Sequence, residues 1–449
     1  MSFQKYLDVV SGSFRKVVKV EWLNPDESVA FEFTDSLYDI NIDLSVNYQN
    51  GSRRTCTLTL NNDRNKFPIN FNNIWFGQKF KLWMGVYIDN ETPYFFPQGV
   101  FYISNPNEIY QPSTRTVKIN GVDKWALLDG TLGGKLHGTY QTKVGDDLLE
   151  ATRALLRLSR FDNSFDATSD VTKMVDPISP FISPYFLTKM GYVLTSDTSR
   201  VSGKTYYTHN KDTGIYTEYT GDSVEGKYTK EYIKKCPYTA KVERGKTYAD
   251  VLLEYATILC AHIYYDVNGR LTIEPMTDEA DDITDINKEI VWHFTIEEKQ
   301  LLGLNTTYNF DKVYNDIIVL GNIVEGHQFK ARVQNKNLMS DSCIQKIGLK
   351  TKEPIEDNQY YSDDQCKDLA IYHAKVDTIL QKSGDISSTP LYHLDVNKLV
   401  SVSTPNNNMS KELFLITGFT LNSSNSMSVK VTSVNVLKDF SVVEADVYE

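Results

Sequence analysis

Between Ile40 and Leu60 the apolar side chains fall on one parity: Ile40, Ile42, Leu44, Val46 and Tyr48, then Cys56, Leu58 and Leu60. Polar residues fill the intervening positions Asn41, Asp43, Ser45 and Asn47, then Thr55, Thr57 and Thr59. Period-two alternation buries one face of a strand and leaves the other in water. The break at Gln49–Ser52 contains Asn50-Gly51, a hairpin signal because both residue types tolerate positive φ. An antiparallel hairpin with one shared buried face is predicted. Phe80, Leu82, Met84, Val86 and Ile88 repeat the pattern, followed by GVFYIS (99–104) and TVKING (116–121). Residues 1–130 thus predict a small barrel or sandwich, with Pro68, Pro93, Pro97, Pro106 and Pro112 in its loops.

The period then changes. Asp146–Arg160 predicts an amphipathic helix with Leu148, Thr152, Leu155 and Leu156 inward. DPISPFISP (176–184) reads as a linker, and 191–231, with its repeated Tyr-Thr pairs, as an exposed β insertion. Thr247 and Asp250 form a capping-box variant ahead of a helix that turns Leu252, Tyr255, Ala256 and Leu259 inward. A hairpin on Asn268-Gly269 follows, then an acidic surface loop at Thr277–Asp285. DKVYNDIIVLG (311–321) predicts a buried strand. A capped helix is expected from Ser362, with Gln365 as partner and Cys366, Leu369, Ala370, His373 and Leu380 inward. LYHLDVNKLVSVS (391–403), LFLITGF (413–419) and SMSVKVTSVNV (426–436) read as strands. In the last of these the phase slips between Val431 and Val434, which predicts a bulge.

A chain of 449 residues exceeds one ordinary core and predicts two to four domains. The 28 tyrosines suit sheets and semi-polar interfaces. A net charge of −11 argues against binding nucleic acid by phosphate neutralisation. The five cysteines, Cys56, Cys236, Cys260, Cys343 and Cys366, form no CxxC or Cys/His cluster and are expected to be reduced, buried thiols. The N-terminus lacks the apolar core of a signal peptide, and no run reaches the length of a membrane span, so export by that route is not expected.

Candidate chemistry is sparse. The seven histidines show no metal-ligand spacing, and His262 and His373 are placed on helix faces as core or boundary residues. GTLGGK (130–135) resembles a phosphate loop superficially, but its first glycine is misplaced and Leu136 stands where Ser or Thr would bind Mg²⁺. Asp278, Glu279, Asp281 and Asp282 lack the glycine turn and distal Glu of a calcium loop and read as a solvated acidic segment. There is no GxSxG elbow and no cysteine in a protease context. No catalytic, cofactor-binding or metal-ligating residue is assigned, no cofactor is expected, and a non-enzymatic role is anticipated.

The order of several segments carries a resemblance. TCTLTLNND (55–63), PQGVFYIS (97–104) and TVKINGVDKWALL (116–128) are followed by TYADVLLEYATILCAHIYYDVNGRLTIEP (247–275). KVYNDIIVLG (312–321) and a capped helix leading into LDVNKLVSVS (394–403) complete the series. So ordered, the chain resembles the baseplate hub or tail-tip hub proteins of tailed bacteriophages and related contractile particles, outside its 185–235 insertion. The resemblance implies an α+β, mainly β fold: two tube-like β-barrel or sandwich domains flanking a mixed α/β middle region with a small β insertion. The expected boundaries are 1–130 for the first tube-like domain, 131–184 for a helix and linker, 185–235 for the insertion and 236–300 for the middle domain. The second tube-like domain is expected at 301–449, with its capped helix at 362–382.

It also implies a homotrimer that joins a hexameric tail tube and distal tail proteins to a threefold spike or fibre. Such a hub lines the tail channel in the virion baseplate after synthesis in the bacterial host cytoplasm. It would have no specific nucleic-acid binding and no membrane span. The chain is expected to lack the C-terminal peptidase or lysozyme extension of many tail-tip relatives. The alternatives are a hexameric distal tail protein and a tail protein that binds or hydrolyses cell-wall glycan.

Overall fold

The computed structural model describes residues 2–35, 40–63, 65–71, 73–112, 114–143, 146–159, 192–195, 206–209, 216–219, 227–230, 236, 240–258, 261–275, 289–296, 300–324, 326–356, 363, 366, 367, 370, 371, 373, 374, 382–405, 409–423, 426–433 and 441–443. The protein is mainly β with few helices.

The first half comprises α1 (Ser2–Val10), β1 (Lys16–Leu23), β2 (Val29–Thr34), β3 (Asn41–Asn47), β4 (Arg54–Asn61), β5 (Lys79–Tyr87), β6 (Pro93–Gln111) and β7 (Thr114–Asp123). The predicted hairpin is β3–β4, paired Ile42↔Leu58 and Leu44↔Cys56, with these residues buried on one face. Of its turn pair only Gly51 takes positive φ, at 84°. The prolines depart from expectation. Pro93, Pro97 and Pro106 lie within β6 rather than in loops. They are tolerated because Pro93 begins the strand and the other two sit at irregularities, where the register slips between Leu82/Trp83 and between Ser104/Asn107.

The middle region holds β8 (Tyr140–Thr142), α2 (Leu148–Ser159), β9 (Tyr192–Thr195), β10 (Tyr206–His209), β11 (Tyr216–Tyr219), β12 (Lys227–Lys230), β13 (Ala240–Val242), α3 (Tyr248–Ile258), β14 (Ala261–Tyr265) and β15 (Leu271–Pro275). Leu148, Thr152, Leu155 and Leu156 of α2 are buried as their spacing predicts. Strands β9–β12 form a separate antiparallel sheet in the order β11-β10-β12-β9. The predicted linker at 176–184, the acidic loop at 277–285 and the four acidic residues named there lie outside the described residues.

The last third holds β16 (Ile290–Thr295), β17 (Leu301–Tyr308), β18 (Asp316–Val324), β19 (His327–Gln334), α3's short successor α4 (Ile344–Ile347), β20 (Ile355–Glu356), β21 (Lys382–Ser388), β22 (Leu399–Thr404), β23 (Met409–Asn422), β24 (Met427–Ser433) and β25 (Ser441–Val443). Strands β20-β18-β19-β25 make a small sheet with its own core of Ile317, Val319, Val333, Cys366, Ala370 and Ala374. Helical positions are described only at 363, 366, 367, 370, 371, 373 and 374, so the caps at Ser362 and Gln365 lie outside the described residues. So does the predicted bulge at Val434–Val436. LYHLDVN (391–397) is a turn-rich loop rather than a strand. Its apolar residues dip into the core from successive turns, and Asn397 takes a φ of 61°.

Strands β13-β8 and β14-β15 form two separate pairs, and the other strands join one 13-stranded sheet, β17-β21-β24-β23-β3-β4-β7-β6-β5-β1-β2, with β22 against β23 and β16 against β22. One strand order occurs in it twice. In the first half the antiparallel order is β3-β4-β7-β6-β5, and in the second it is β17-β21-β24-β23-β22. The chain order of the five strands is also the same, except that the small sheet is inserted between β17 and β21. A sixth strand lies beyond each set, β1 antiparallel to β5 and β16 parallel to β22. The two units share a continuous apolar core.

Candidate functional site

The seam between the two units brings together buried polar side chains from distant parts of the chain. Strand β23 pairs with β3 from Gly418↔Asn47 to Asn422↔Asp43. A Cβ at Gly418 would approach the Val46 carbonyl oxygen to 3.0 Å, so a side chain there would push the strands apart. Tyr48 donates its amide to the Thr417 carbonyl at 2.8 Å, and Ser423 donates to Ile42 at 3.0 Å, which extends the ladder at both ends.

Beside the ladder, the Arg54 guanidinium donates through one nitrogen to both oxygens of Asp395, at 2.7 Å each. Arg54 is 2% exposed and Asp395 30%, so the cation is the fully desolvated partner. The main-chain amides of Arg53 and Arg54 donate to buried Asp123, at 2.7 and 3.0 Å. Burial pushes the Asp123 carboxyl up, opposed by those amides. A cleft of about 190 Å³ opens here, between Arg54, Gln98, His393 and Asp395. Gln98 is the bulged residue between Pro97 and Gly99, and the bulge aims its amide at the Tyr392 carbonyl, 3.0 Å away.

Helix α1 closes the seam from outside. The Tyr6 hydroxyl accepts from the Tyr392 amide at 3.0 Å and lies 3.0 Å from His393 Nδ1. Burial holds His393 down at about 4, partly offset by the Val291 backbone. Phe3, Tyr6, Phe96 and Trp292 surround its ring at centroid separations of 5.2–6.2 Å.

The hairpin β14–β15 is fastened to the same side. Asn50 Oδ1 accepts from the Ile263 amide at 2.9 Å, and Gly51 donates to the Ile263 carbonyl at 2.8 Å. Arg53 lies 3.3 Å from the Tyr264 ring centroid. Thr247 and Asp250 cap α3 reciprocally, with the Thr247 amide donating at 2.8 Å and the Asp250 amide at 3.2 Å.

The residues weighed from sequence fall elsewhere. His262 is on strand β14, not a helix, and its Nδ1 sits 3.1 Å from Asn50 Oδ1. His373 is half-buried at a helical position. The amides of Leu132 and Leu136 in and after GTLGGK donate to the Ala126 and Lys246 carbonyls, at 2.8 Å each. Those donors are turned to the backbone rather than into a phosphate cradle. The four described cysteines are buried and form no disulfide. Among the described residues no group of three or more His, Cys, Asp or Glu side chains is placed to hold a metal ion. No helix among them is long and apolar enough to cross a membrane. The seam residues Arg54, Asp395, Tyr6 and His393 carry no sequence signal, since each stands alone in its segment.

No protein-family model matches the sequence, and no curated protein matches it. Solved structures do. A tail protein from Neisseria meningitidis MC58 superposes with a TM-score of 0.52 at 10% identity, covering 94% of this chain and 97% of that one. The 43 kDa tail protein of prophage MuSo2 from Shewanella oneidensis gives 0.52 at 10% identity, covering 94% and 99%. The chain has the fold of phage tail proteins. The likeness runs through both units and the middle region alike, because it covers nearly the whole length of each chain.

Proposed function

We propose that the protein is a structural component of a phage-type tail: a trimeric baseplate or tail-tip hub that joins a hexameric tail tube to a threefold spike or fibre. The doubled strand order carries this reading. One chain holds two like units side by side, welded edge to edge by β23 and β3. Three such chains around an axis place six like units in a ring, which offers a near-sixfold face to a tube and a threefold face to a spike. Ring closure also removes free sheet edges, which otherwise template aggregation. The seam supports a mechanical role, because Arg54, Gln98 and Tyr6 of the first half are tied by hydrogen bonds to Asp395 and Tyr392 of the second. Net acidity suits a channel wall that DNA passes without sticking. In this reading the protein works in the virion tail and performs no catalysis.

Light scattering over a concentration series tests it. A stable species of three times the 51.3 kDa chain mass is expected. A hexamer would favour the distal tail protein instead. A monomer that binds cell-wall glycan, and loses that binding when 185–235 is deleted, would overturn the structural reading.

A further inference from the structure

The two units are alike in order but unlike in what covers one of their strands. In the second unit β23 has β24 along one edge, and its other edge is shared: β22 covers Met409–Leu415 and β3 covers Gly418–Asn422. In the first unit β6 holds the place of β23. Strand β7 lies along one edge of β6, and β5 covers only Pro93–Tyr102 of the other. Among the described residues no strand covers the rest of that edge, residues 104–111. The complementary vacancy is on β17, which holds the place of β3. Strand β3 has β4 on one side and β23 on the other, whereas among the described residues β17 has β21 alone.

We propose that these two vacancies fill each other between chains: β17 of a second copy pairs antiparallel with residues 104–111 of β6, reproducing between chains the seam that β3 and β23 form within one. The proposal rests on the trimeric reading and supplies its joint. The occupant is a second copy because the same chain already shows the pairing this edge accepts, and because the missing strand is present at the far end of the sheet, with an edge that no described strand covers. Main-chain hydrogen bonds of an added strand need only an extended partner with unpaired amides and carbonyls. The flanking side chains fit a buried joint better than open water. Ile109 and Tyr110 on β6 are 39% and 76% exposed, and Leu302 and Tyr308 on β17 are 59% and 48% exposed. Phe310, just past β17, is 67% exposed.

Backbone hydrogen exchange of the wild-type protein, measured with its mass across a concentration series, tests the joint. Amides within 104–111 not already paired with β7, and those of 301–308 not already paired with β21, are expected to slow by about tenfold or more as the oligomer forms. Amides of 41–47 and 418–422 should be slow at every concentration. A trimer in which 104–111 and 301–308 keep their dilute exchange rates overturns this joint and leaves the trimeric hub standing. A chain that stays monomeric, with both segments exchanging freely, overturns the joint and the trimer together.

Discussion

Arg54 and Asp395, 341 positions apart, meet through a single guanidinium nitrogen held 2.7 Å from each carboxylate oxygen. They join the two sheet units, and their burial is unequal. Removing the partner of a buried charge costs about 3–5 kcal/mol, whereas replacing that charge by an apolar side chain of like volume costs far less. Asp395→Ala should therefore destabilise the protein by about 3 kcal/mol or more, and Arg54→Met by about 1 kcal/mol. Urea unfolding of both variants checks the order. Equal losses would show that the pair is solvent-screened and contributes little to the seam.

His393 makes the seam sensitive to acid. Its folded pKa of about 4 lies below the 6.5 of a free imidazole, so the unfolded chain binds the proton more readily. The neutral ring's contribution is complete above pH 6.5 and is lost as pH falls towards 4, at most about 3 kcal/mol in total. His393→Phe keeps the ring packing and removes the titration. Between pH 7.5 and 4.5 the wild type should lose more stability than this variant, by up to that amount. Parallel losses would refute the assignment.

Gly51 is required at the β3–β4 turn by its backbone conformation and by the Trp125 ring beside it. Its φ is 84°, and a Cβ would lie 2.9 Å from the Trp125 ring. Gly51→Ala should cost about 2 kcal/mol or more, from backbone strain plus a clash with a buried ring. Thermal melting and tryptophan emission report both effects. An unchanged melting temperature would mean that the turn relaxes freely.

Asp316 should govern the small sheet alone. It is fully buried and accepts from Arg332 Nε and Nη2 at 2.7 Å each, with Thr351 at 2.7 Å and Gln334 at 3.0 Å. Burial raises its pKa, but the hydrogen bonds from Arg332, Thr351 and Gln334 outweigh it and hold the carboxyl below the usual range. Its contribution is present above the ordinary 3.8 and lost as pH falls through the lowered value. At neutral pH Asp316→Asn leaves Arg332 without its counter-charge, at a cost of about 3–5 kcal/mol. Proteolysis should then open residues 316–356 before the large sheet. Simultaneous cleavage throughout would show that the small sheet does not unfold separately.

The elements that were legible in the sequence are those whose signal is local. The β3–β4 and β14–β15 hairpins, α2 and the Thr247–Asp250 cap follow from period and turn chemistry. The misreadings have a common cause. Pro97 and Pro106 look like loop residues because a bulge that admits proline leaves no mark in one strand read alone. LYHLDVN alternates like a strand because a loop pressed on a core buries its apolar residues too. The seam was hidden for a different reason. Arg54, Asp395, Tyr6 and His393 act only in company, and their company is set by the β23–β3 pairing of segments some 370 residues apart. The doubled strand order is invisible in the same way, since the small sheet separates β17 from β21.

Electron microscopy of the purified oligomer viewed down its axis tests the central claim most directly. Six like lobes of sheet around an open channel, exactly repeating only every third of a turn, are the predicted result. Six identical lobes from six chains, or a particle with no ring at all, would contradict the hub.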